Sequence, residues 1–241
     1  SHLAGAALRA QRGLSRDLPG VTLSVHAAAE WGGDTVALAR CRDDIAQGDI
    51  VIATMLFMED HFLPVIAALR ARRDACDAMV CAMSAAEVMK LTRMGKFDMD
   101  TPATGLMAWL KKLRGKPDAK SNESGVRATA GEKQMRMLRR LPKLLRFIPG
   151  TAQDVRAYFL TLQYWLAGSE QNVAGMVKML VDRYADGPRR GLRGLCKPPA
   201  PAEYPEVGVY HPRMAGPDVG VAVVAQRMSD QLAALPKVAT S

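Results

Sequence analysis

Residues 49–83, DIVIATMLFMEDHFLPVIAALRARRDACDAMVCAM, predict a strand, a helix and a second strand in succession. Residues 49–55 are almost continuously apolar and rich in β-branched side chains, which is typical of a strand buried on both faces. Residues 59–74 carry apolar side chains at helical spacing, and Pro64 falls near the helix start, where proline is tolerated. Residues 77–83 are again apolar. This order predicts two parallel strands joined by a right-handed crossover.

The flanking segments continue the alternation of helix and strand. We expect a helix at residues 34–47 because Asp34 is a favoured N-cap residue. A short helix to about residue 93 is expected because Ser84 and Glu87 have the spacing of a capping box. The alternation predicts an α/β fold with a doubly wound sheet of parallel strands. The remaining predicted elements of this unit are a helix at residues 3–13 closed by Gly13, a strand at residues 21–25 and a helix at residues 103–114.

A helical hairpin is predicted after this α/β unit. Thr151 and Asp154 have the spacing of a capping box that opens a helix, and Gly168 ends that helix. Ser169 is a favoured N-cap for a further helix to about residue 185. Both helices carry apolar stripes, so we expect them to pack against each other as an αα-hairpin.

The composition along the chain of 241 residues predicts four regions. Residues 115–131 are small, polar and aperiodic, which is typical of a flexible linker. The predicted regions are an α/β head domain at residues 1–114, this linker, a helical unit at residues 132–186, and a Pro/Gly-rich connection with the start of a further domain at residues 187–241.

Several classes of protein are excluded by what the sequence lacks. No apolar run is long enough to span a membrane, and the N-terminal residues do not have the pattern of a signal peptide, so we expect a soluble cytoplasmic protein. The four cysteines form no C-x-x-C pair, which favours reduced thiols. The chain contains no P-loop, so we do not expect it to hydrolyse ATP itself.

Positive charge is concentrated in one segment. The formal net charge is +9, and residues 111–147 hold twelve Lys or Arg against three acidic residues. Within this segment, residues 135–147 interleave basic and apolar side chains, which predicts an amphipathic helix that Pro142 breaks or restarts. The segment could serve an acidic ligand, an acidic partner, an anionic membrane surface or nucleic acid, although a solvated helix face is the commonest use of such charge. Nucleic acid is the weakest option because no nucleic-acid-binding motif accompanies the charge.

Polar side chains follow the predicted strands at the edge where ligands of open α/β sheets bind. Imidazoles and carboxylates at this edge could bind a divalent cation, relay protons or hold a polar ligand. The simpler interpretation is that the carboxylates are helix-start residues favoured by the helix dipole. The residues of this predicted polar cluster are His26, Glu30, Glu59, Asp60 and His61.

Motifs spread along the chain resemble the N-terminal region of the large, porphyrin-binding subunit of magnesium chelatases, within the cobaltochelatase large-subunit superfamily. The resemblance covers most of residues 1–214. In that family an apolar strand precedes the first motif and a long chelatase core follows the last, so we expect this chain to be part of a longer protein. The motifs are HLAGA at 2–6, HAAAEW at 26–31, ATMLFMEDH at 53–61, MVCAMSAAEV at 79–88, LTRMGKFDM at 91–99, residues 135–169 and YHPRM at 210–214.

The resemblance implies a subunit that binds protoporphyrin IX and accepts Mg²⁺ into the macrocycle for chlorophyll or bacteriochlorophyll synthesis. ATP is then used by two ATPase-family partner subunits, and the catalytic residues lie in the core beyond this portion. The location implied is the bacterial cytoplasm or the plastid stroma, with association to a membrane surface left open. The alternative is a shortened, non-catalytic relative that binds tetrapyrroles or serves as a scaffold.

The basic amphipathic segment is the candidate contact for the porphyrin propionates, because Arg pairs well with carboxylates. The aromatic residues of the following helix are candidates for ring contacts, although core packing is their commoner role. The candidate substrate-binding residues are Arg136, Arg139, Arg140, Arg146 and Trp165.

Overall fold

The structure is a computed structural model that describes residues 2–100, 142, 145 and 150–202. Three predicted features lie outside the described residues: the helix at 103–114, the linker at 115–131 and most of the amphipathic helix at 135–147. The elements are α1 (His2–Asp17), α2 (Thr35–Gln47), β1 (Ile50–Thr54), α3 (Glu59–Arg72), β2 (Ala78–Ala82), α4 (Ala86–Met89), β3 (Arg93–Met94), β4 (Phe97–Asp98), α5 (Thr151–Ala167) and α6 (Glu170–Tyr184), with short 3-10 helices at Ala28–Glu30 and Gly187–Leu192.

The four described strands form one sheet in the order β1-β2-β3-β4. β1 and β2 pair in parallel, with Ile50 opposite Ala78 and Thr54 opposite Ala82, as the strand-helix-strand pattern predicts. β3 runs antiparallel to both β2 and β4. The fold is therefore mixed α/β, and the doubly wound parallel arrangement is not confirmed. After β2 the chain passes through α4 and turns back, so β3 lies antiparallel beside β2, and a tight hairpin at Gly95 then leads into β4.

β2 is the centre of the fold because both of its faces are buried. Ala78, Val80 and Ala82 point into a core beneath α5 and α6, whereas Met79 and Cys81 point into a core beneath α2 and α3. Side chains of a strand alternate between its faces, so one short strand contributes to both cores. β1 alternates in the same way and is less completely buried.

The helices that cover the sheet follow the predicted order. Asp34 caps α2, because its Oδ1 accepts hydrogen bonds of 2.9 Å from the amides of both Val36 and Ala37. Gly168 ends α5 in the left-handed conformation, with a φ of 58°. Ser169 caps α6 by accepting a hydrogen bond of 3.2 Å from the amide of Asn172. The αα-hairpin of α5 and α6 is confirmed, and α1 packs against α6 through small residues that include Ala6 and Ala10.

Two capping-box predictions are wrong. α4 begins after Ala85 without a side-chain cap, because the hydroxyl of Ser84 donates to the carbonyl of Ala82 and accepts from the amide of Leu56. α5 begins after Gly150, again without a side-chain cap. Ser84 makes tertiary contacts instead of capping α4. The N-cap position of α5 is Gly150, one residue before the predicted cap, Thr151.

The helix predicted at residues 3–13 is confirmed, but its predicted end at Gly13 is wrong, and so is the strand predicted at residues 21–25. α1 continues past Gly13 to Asp17, because Leu14 and Leu18 are completely buried and their burial outweighs the roughly 1 kcal/mol cost of a helical glycine. Residues 21–25 form no strand. Val21 and Leu23 pack instead against the cluster between α1 and α6. Residues with high β-propensity favour a half-buried environment, and the contacts with α1 and α6 provide it here without a sheet.

The described residues all belong to one compact unit. Within this unit, the helical hairpin and the sheet share one hydrophobic core. The predicted domain boundaries around the linker stay predictions because the linker itself is not described.

Replacement of Gly95 by Ala tests the β3–β4 hairpin. A Cβ on Gly95 would lie 2.8 Å from Oδ2 of Asp154, and the φ of +57° also disfavours any side chain. We expect the free energy of unfolding, measured by urea denaturation, to fall by roughly 2–4 kcal/mol. The matched control is Gly187→Ala, since Gly187 has a φ of +56° and nothing within 4 Å of its would-be Cβ. An equal loss in both variants would show that the contact with Asp154 contributes nothing.

Candidate functional site

The first candidate site is the edge where the parallel strands β1 and β2 end. The chain leaves these strands through Met55 and Met83, which both have positive φ values, of 62° and 46°. The amide of Met55 donates to the carbonyl of Met83 at 2.9 Å. The amide of Ala85 donates to the carbonyl of Leu56 at 2.9 Å, so backbone hydrogen bonds hold the two loops together.

Of the predicted polar cluster, Glu59, Asp60 and His61 lie at this edge, in the first turn of α3. Glu59 and Asp60 are exposed in this turn, where the helix dipole stabilises carboxylates. His61 follows them and is half-buried. Glu30 is exposed at the end of the first 3-10 helix. Within the described part of the chain, no group of three or more His, Cys, Asp or Glu side chains could hold a metal ion. The divalent-cation interpretation therefore gains no support here, and the polar-ligand interpretation stays a prediction.

His26 has a partner that sequence reasoning missed. Its Nε2 lies 2.6 Å from Oδ2 of Asp44, and both side chains are partly buried. Asp44 lies on α2, and only the packing of the preceding segment on this helix brings the two residues together. This contact ties the residues before the first 3-10 helix to α2.

The candidate porphyrin contacts are only partly described. Trp165 lies on α5, is half-buried and packs against the core beneath the helical hairpin. Arg136, Arg139, Arg140 and Arg146 lie outside the described residues. Their role in binding stays a prediction.

The second candidate site is built around a buried carboxylate on the first turn of α5. Asp154 is only 7% exposed, and both of its carboxylate oxygens accept hydrogen bonds. Its Oδ2 accepts from the amide of Lys96 at 3.0 Å, and its Oδ1 accepts from the guanidinium of Arg183 at 2.9 Å and from the hydroxyl of Tyr184 at 3.0 Å. This arrangement joins the β3–β4 hairpin to both helices. The capping-box spacing correctly marked Asp154 as a side chain that accepts hydrogen bonds, but it assigned the wrong donors.

A polar cleft of about 550 Å³ opens beside Asp154. Several of its charged side chains are paired within the chain. Arg183 is held by Asp154, and Arg93 donates to the carbonyls of Arg73 and Cys76 at 3.0 and 2.5 Å. The cleft is lined by Asp74, Cys76, Asp77, Arg93, Gly95, Asp154, Arg183, Tyr184, Asp186 and Arg193.

A bidentate ion pair closes one side of this cleft. Nε and Nη2 of Arg189 donate to the two carboxylate oxygens of Asp77, each at 3.0 Å, and the amide of Asp186 donates to the same carboxylate at 3.0 Å. Burial would raise the pKa of Asp77, but the hydrogen bonds from Arg189 and Asp186 outweigh it and hold the pKa below 3.8. The pair fastens the second 3-10 helix to the start of β2.

The thiols and phenols of the core are unsuited to nucleophilic chemistry. All four cysteines are free, as predicted. Burial raises the pKa of Cys41 to about 11 and that of Cys81 to about 12. Burial also raises the pKa of Tyr158 to about 12. These groups are therefore protonated at neutral pH, which makes them poor nucleophiles.

These features define a mixed α/β domain with helices on both faces of a small sheet. The chain belongs to the family described as domain of unknown function DUF3479, whose model matches residues 1–159. None of the helices within the described residues is long and apolar enough to cross a membrane.

Relatives with established names refine this assignment. The chain is 50% identical over 214 residues to the H subunit of magnesium chelatase from Cereibacter sphaeroides, a match that covers 89% of this chain and 17% of the relative. It is 49% identical over 215 residues to the corresponding protein of Rhodobacter capsulatus, with equal coverage. It is 30% identical over 171 residues to the chloroplastic magnesium-chelatase protein ChlH of Oryza sativa, which covers 70% of this chain and 12% of the relative. The resemblance to the large subunit of magnesium chelatases is confirmed, and the chain spans about a sixth of the length of its bacterial relatives.

Replacement of Asp154 by Asn tests the buried carboxylate. The variant keeps one acceptor but leaves the half-buried Arg183 without its charge partner, so we expect the free energy of unfolding to fall by roughly 3 kcal/mol. Chemical denaturation measures this loss. Asp43→Asn on α2 is the control, because Asp43 is exposed and should change stability little. A loss below about 1 kcal/mol in Asp154→Asn would contradict the central role of this contact.

Replacement of Arg189 by Ala tests the ion pair with Asp77 through its pH dependence. Because the pair holds the pKa of Asp77 in the folded protein below 3.8, it stabilises the fold above that pH, and this stabilisation is lost as the pH falls through the folded-state pKa. We expect Arg189→Ala to be less stable than the parent by about 1 kcal/mol at pH 7, with the difference shrinking as the pH falls below the usual pKa of an aspartate. Thermal unfolding across this range measures the difference. Arg190→Ala, in the same 3-10 helix, should show no such dependence, and a constant difference for Arg189→Ala would contradict the pairing.

Proposed function

We propose that this chain is the N-terminal part of the porphyrin-binding subunit of a magnesium chelatase. In this proposal the complex inserts Mg²⁺ into protoporphyrin IX, and ATP is consumed by ATPase-family partner subunits rather than by this chain. The observation that carries the proposal is the 50% identity to a magnesium-chelatase H protein across 89% of the chain. The complex works in bacteriochlorophyll or chlorophyll synthesis, in the bacterial cytoplasm or the plastid stroma.

The chemistry of Mg²⁺ insertion limits what this region contributes. The reaction must strip water from a strongly hydrated small cation and remove two pyrrole protons, which requires carboxylates or imidazoles close to the macrocycle. The described residues contain no group of His, Cys, Asp or Glu that could hold a metal. We therefore assign to this region the binding and assembly work of the subunit, and place the insertion step in the longer chain that its relatives possess.

The proposed porphyrin contact is the basic segment that leads into α5. Arg136, Arg139, Arg140 and Arg146 supply guanidinium groups for the propionates, since Arg forms bidentate pairs with carboxylates. Two described contacts support a position for this segment against the helical hairpin. Leu145 is completely buried in the core beneath α5 and α6, and the carbonyl of Pro142 accepts a hydrogen bond of 3.0 Å from Arg156. Trp165 on α5 is the aromatic candidate for a ring contact.

Titration with a water-soluble protoporphyrin analogue, followed by tryptophan fluorescence, tests this proposal. We expect saturable quenching, with the affinity reduced about tenfold in the variant Arg139→Ala/Arg140→Ala because two charge pairs with propionates are lost. Arg12→Ala/Arg16→Ala is the matched control, since these exposed arginines on α1 remove the same charge elsewhere. Trp165→Phe shows whether Trp165 is the quenched reporter.

The opposite outcomes separate the two interpretations of this region. No quenching at tens of micromolar ligand, where binding would still be worth roughly 6 kcal/mol, would overturn the porphyrin contact and leave an assembly role. An equal loss of affinity in both arginine variants would show that general positive charge, rather than the segment before α5, attracts the ligand.

A further inference from the structure

Apolar side chains are exposed at the edge where β1 and β2 end. Each of five residues at this end of the molecule has more than half of its surface in contact with solvent. Two lie on the helices α2 and α3, and three lie in the loop between β1 and α3. The residues of this edge patch are Val36, Met55, Phe57, Met58 and Leu63.

Two contacts between α2 and α3 explain why these residues share one end of the fold. Nε of Arg42 donates to the carbonyl of Pro64 at 2.8 Å, and Nε of Arg72 donates to the carbonyl of Gly48 at 2.8 Å. The contact nearer the N-terminus of α2 is also the one nearer the N-terminus of α3. The two helices therefore run parallel, with their N-termini at the same end. α3 starts directly after β1, so both N-termini lie at the end where the parallel strands stop.

The backbone at this edge is strained. A positive φ costs a residue other than glycine about 1–2 kcal/mol, and both Met55 and Met83 adopt one. The hydrogen bond between their backbones and the contacts of Ser84 with Leu56 and Ala82 hold this conformation. In the loop after β1, Met55, Phe57 and Met58 are exposed, whereas Leu56 packs against the core beneath α2 and α3. Strain of this kind is concentrated at functional surfaces.

The charge of this edge is opposite to that of the chain. Residues 30–36, 55–63 and 83–87 contain five carboxylates and no Lys or Arg, whereas the chain as a whole carries a net charge of +9. The carboxylates, all exposed, are Glu30, Asp34, Glu59, Asp60 and Glu87. An apolar patch with an acidic rim attracts a basic partner with an apolar face, and it repels anionic ligands, anionic membranes and nucleic acids.

We propose that the edge patch is a docking surface for an amphipathic helix of a partner protein, with an apolar stripe flanked by Lys or Arg. The stripe packs on the edge patch, and the basic side chains pair with the acidic rim. Three methionines at or beside the patch suit this role, because their flexible side chains adapt to a partner's shape. This proposal does not depend on porphyrin binding.

Binding of a designed peptide to the whole chain tests the docking surface. The probe is a fluorescent amphipathic helix made of leucine and lysine, and its counterpart replaces each lysine with glutamate. We expect saturable binding of the lysine peptide, measured by fluorescence anisotropy at low salt, and no binding of the glutamate peptide. Glu59→Gln/Asp60→Asn and Phe57→Ser/Leu63→Ser should each weaken binding of the lysine peptide about tenfold.

Matched variants keep this test specific. Asp43→Asn removes an exposed carboxylate from α2, and Leu195→Ser removes an exposed leucine elsewhere, so neither should change the affinity. Unchanged thermal unfolding confirms that the variants are folded. Equal binding of the two peptides, or equal loss in the control variants, would overturn the proposal. Self-association of the chain in sedimentation experiments that Phe57→Ser abolishes would also overturn it, because a second copy would then be the occupant.

Discussion

The carboxylate of Asp154 is the contact on which the arrangement of the described residues depends. It lies almost completely buried where a hairpin of the sheet meets two helices, and it takes its hydrogen bonds from the hairpin and from α6. A buried charge is tolerable only when it is paired and fully hydrogen-bonded, so each partner is held in place by the cost of leaving this carboxylate unsatisfied. The same requirement explains Gly95, because any side chain there would collide with the carboxylate.

The sheet that this contact stabilises is small, yet it separates two cores. β2 contributes alternate residues to both, and helices cover each face. The side of the sheet beneath α5 and α6 is rich in aromatic residues, with Tyr158 in edge-to-face contact with both Phe97 and Phe159. A rigid sandwich of this kind is well suited to present loops at its edge, where binding residues of α/β proteins are usually found.

The two binding regions proposed for this chain are opposite in charge. The segment before α5 is strongly basic and is the proposed contact for an acidic ligand, whereas the edge patch is apolar with an acidic rim and is proposed to dock a basic helix. This division of labour fits the proposed assembly role of a region that makes up about a sixth of its bacterial relatives.

The sequence by itself determined the strand-helix-strand unit of residues 49–83, the cap at Asp34 and the helical hairpin, because hydrophobic periodicity and capping act over a few residues. Its long motifs also determined the family. The tertiary structure decided what depends on distant partners. Residues 21–25 have the composition of a strand but pack between helices, and the partner of His26 lies on α2. The spacing of Asp154 predicts a helix cap. Its buried hydrogen-bonded position depends on the packing of α5 against α6 and the β3–β4 hairpin, because its donors come from residues that are far away in the chain.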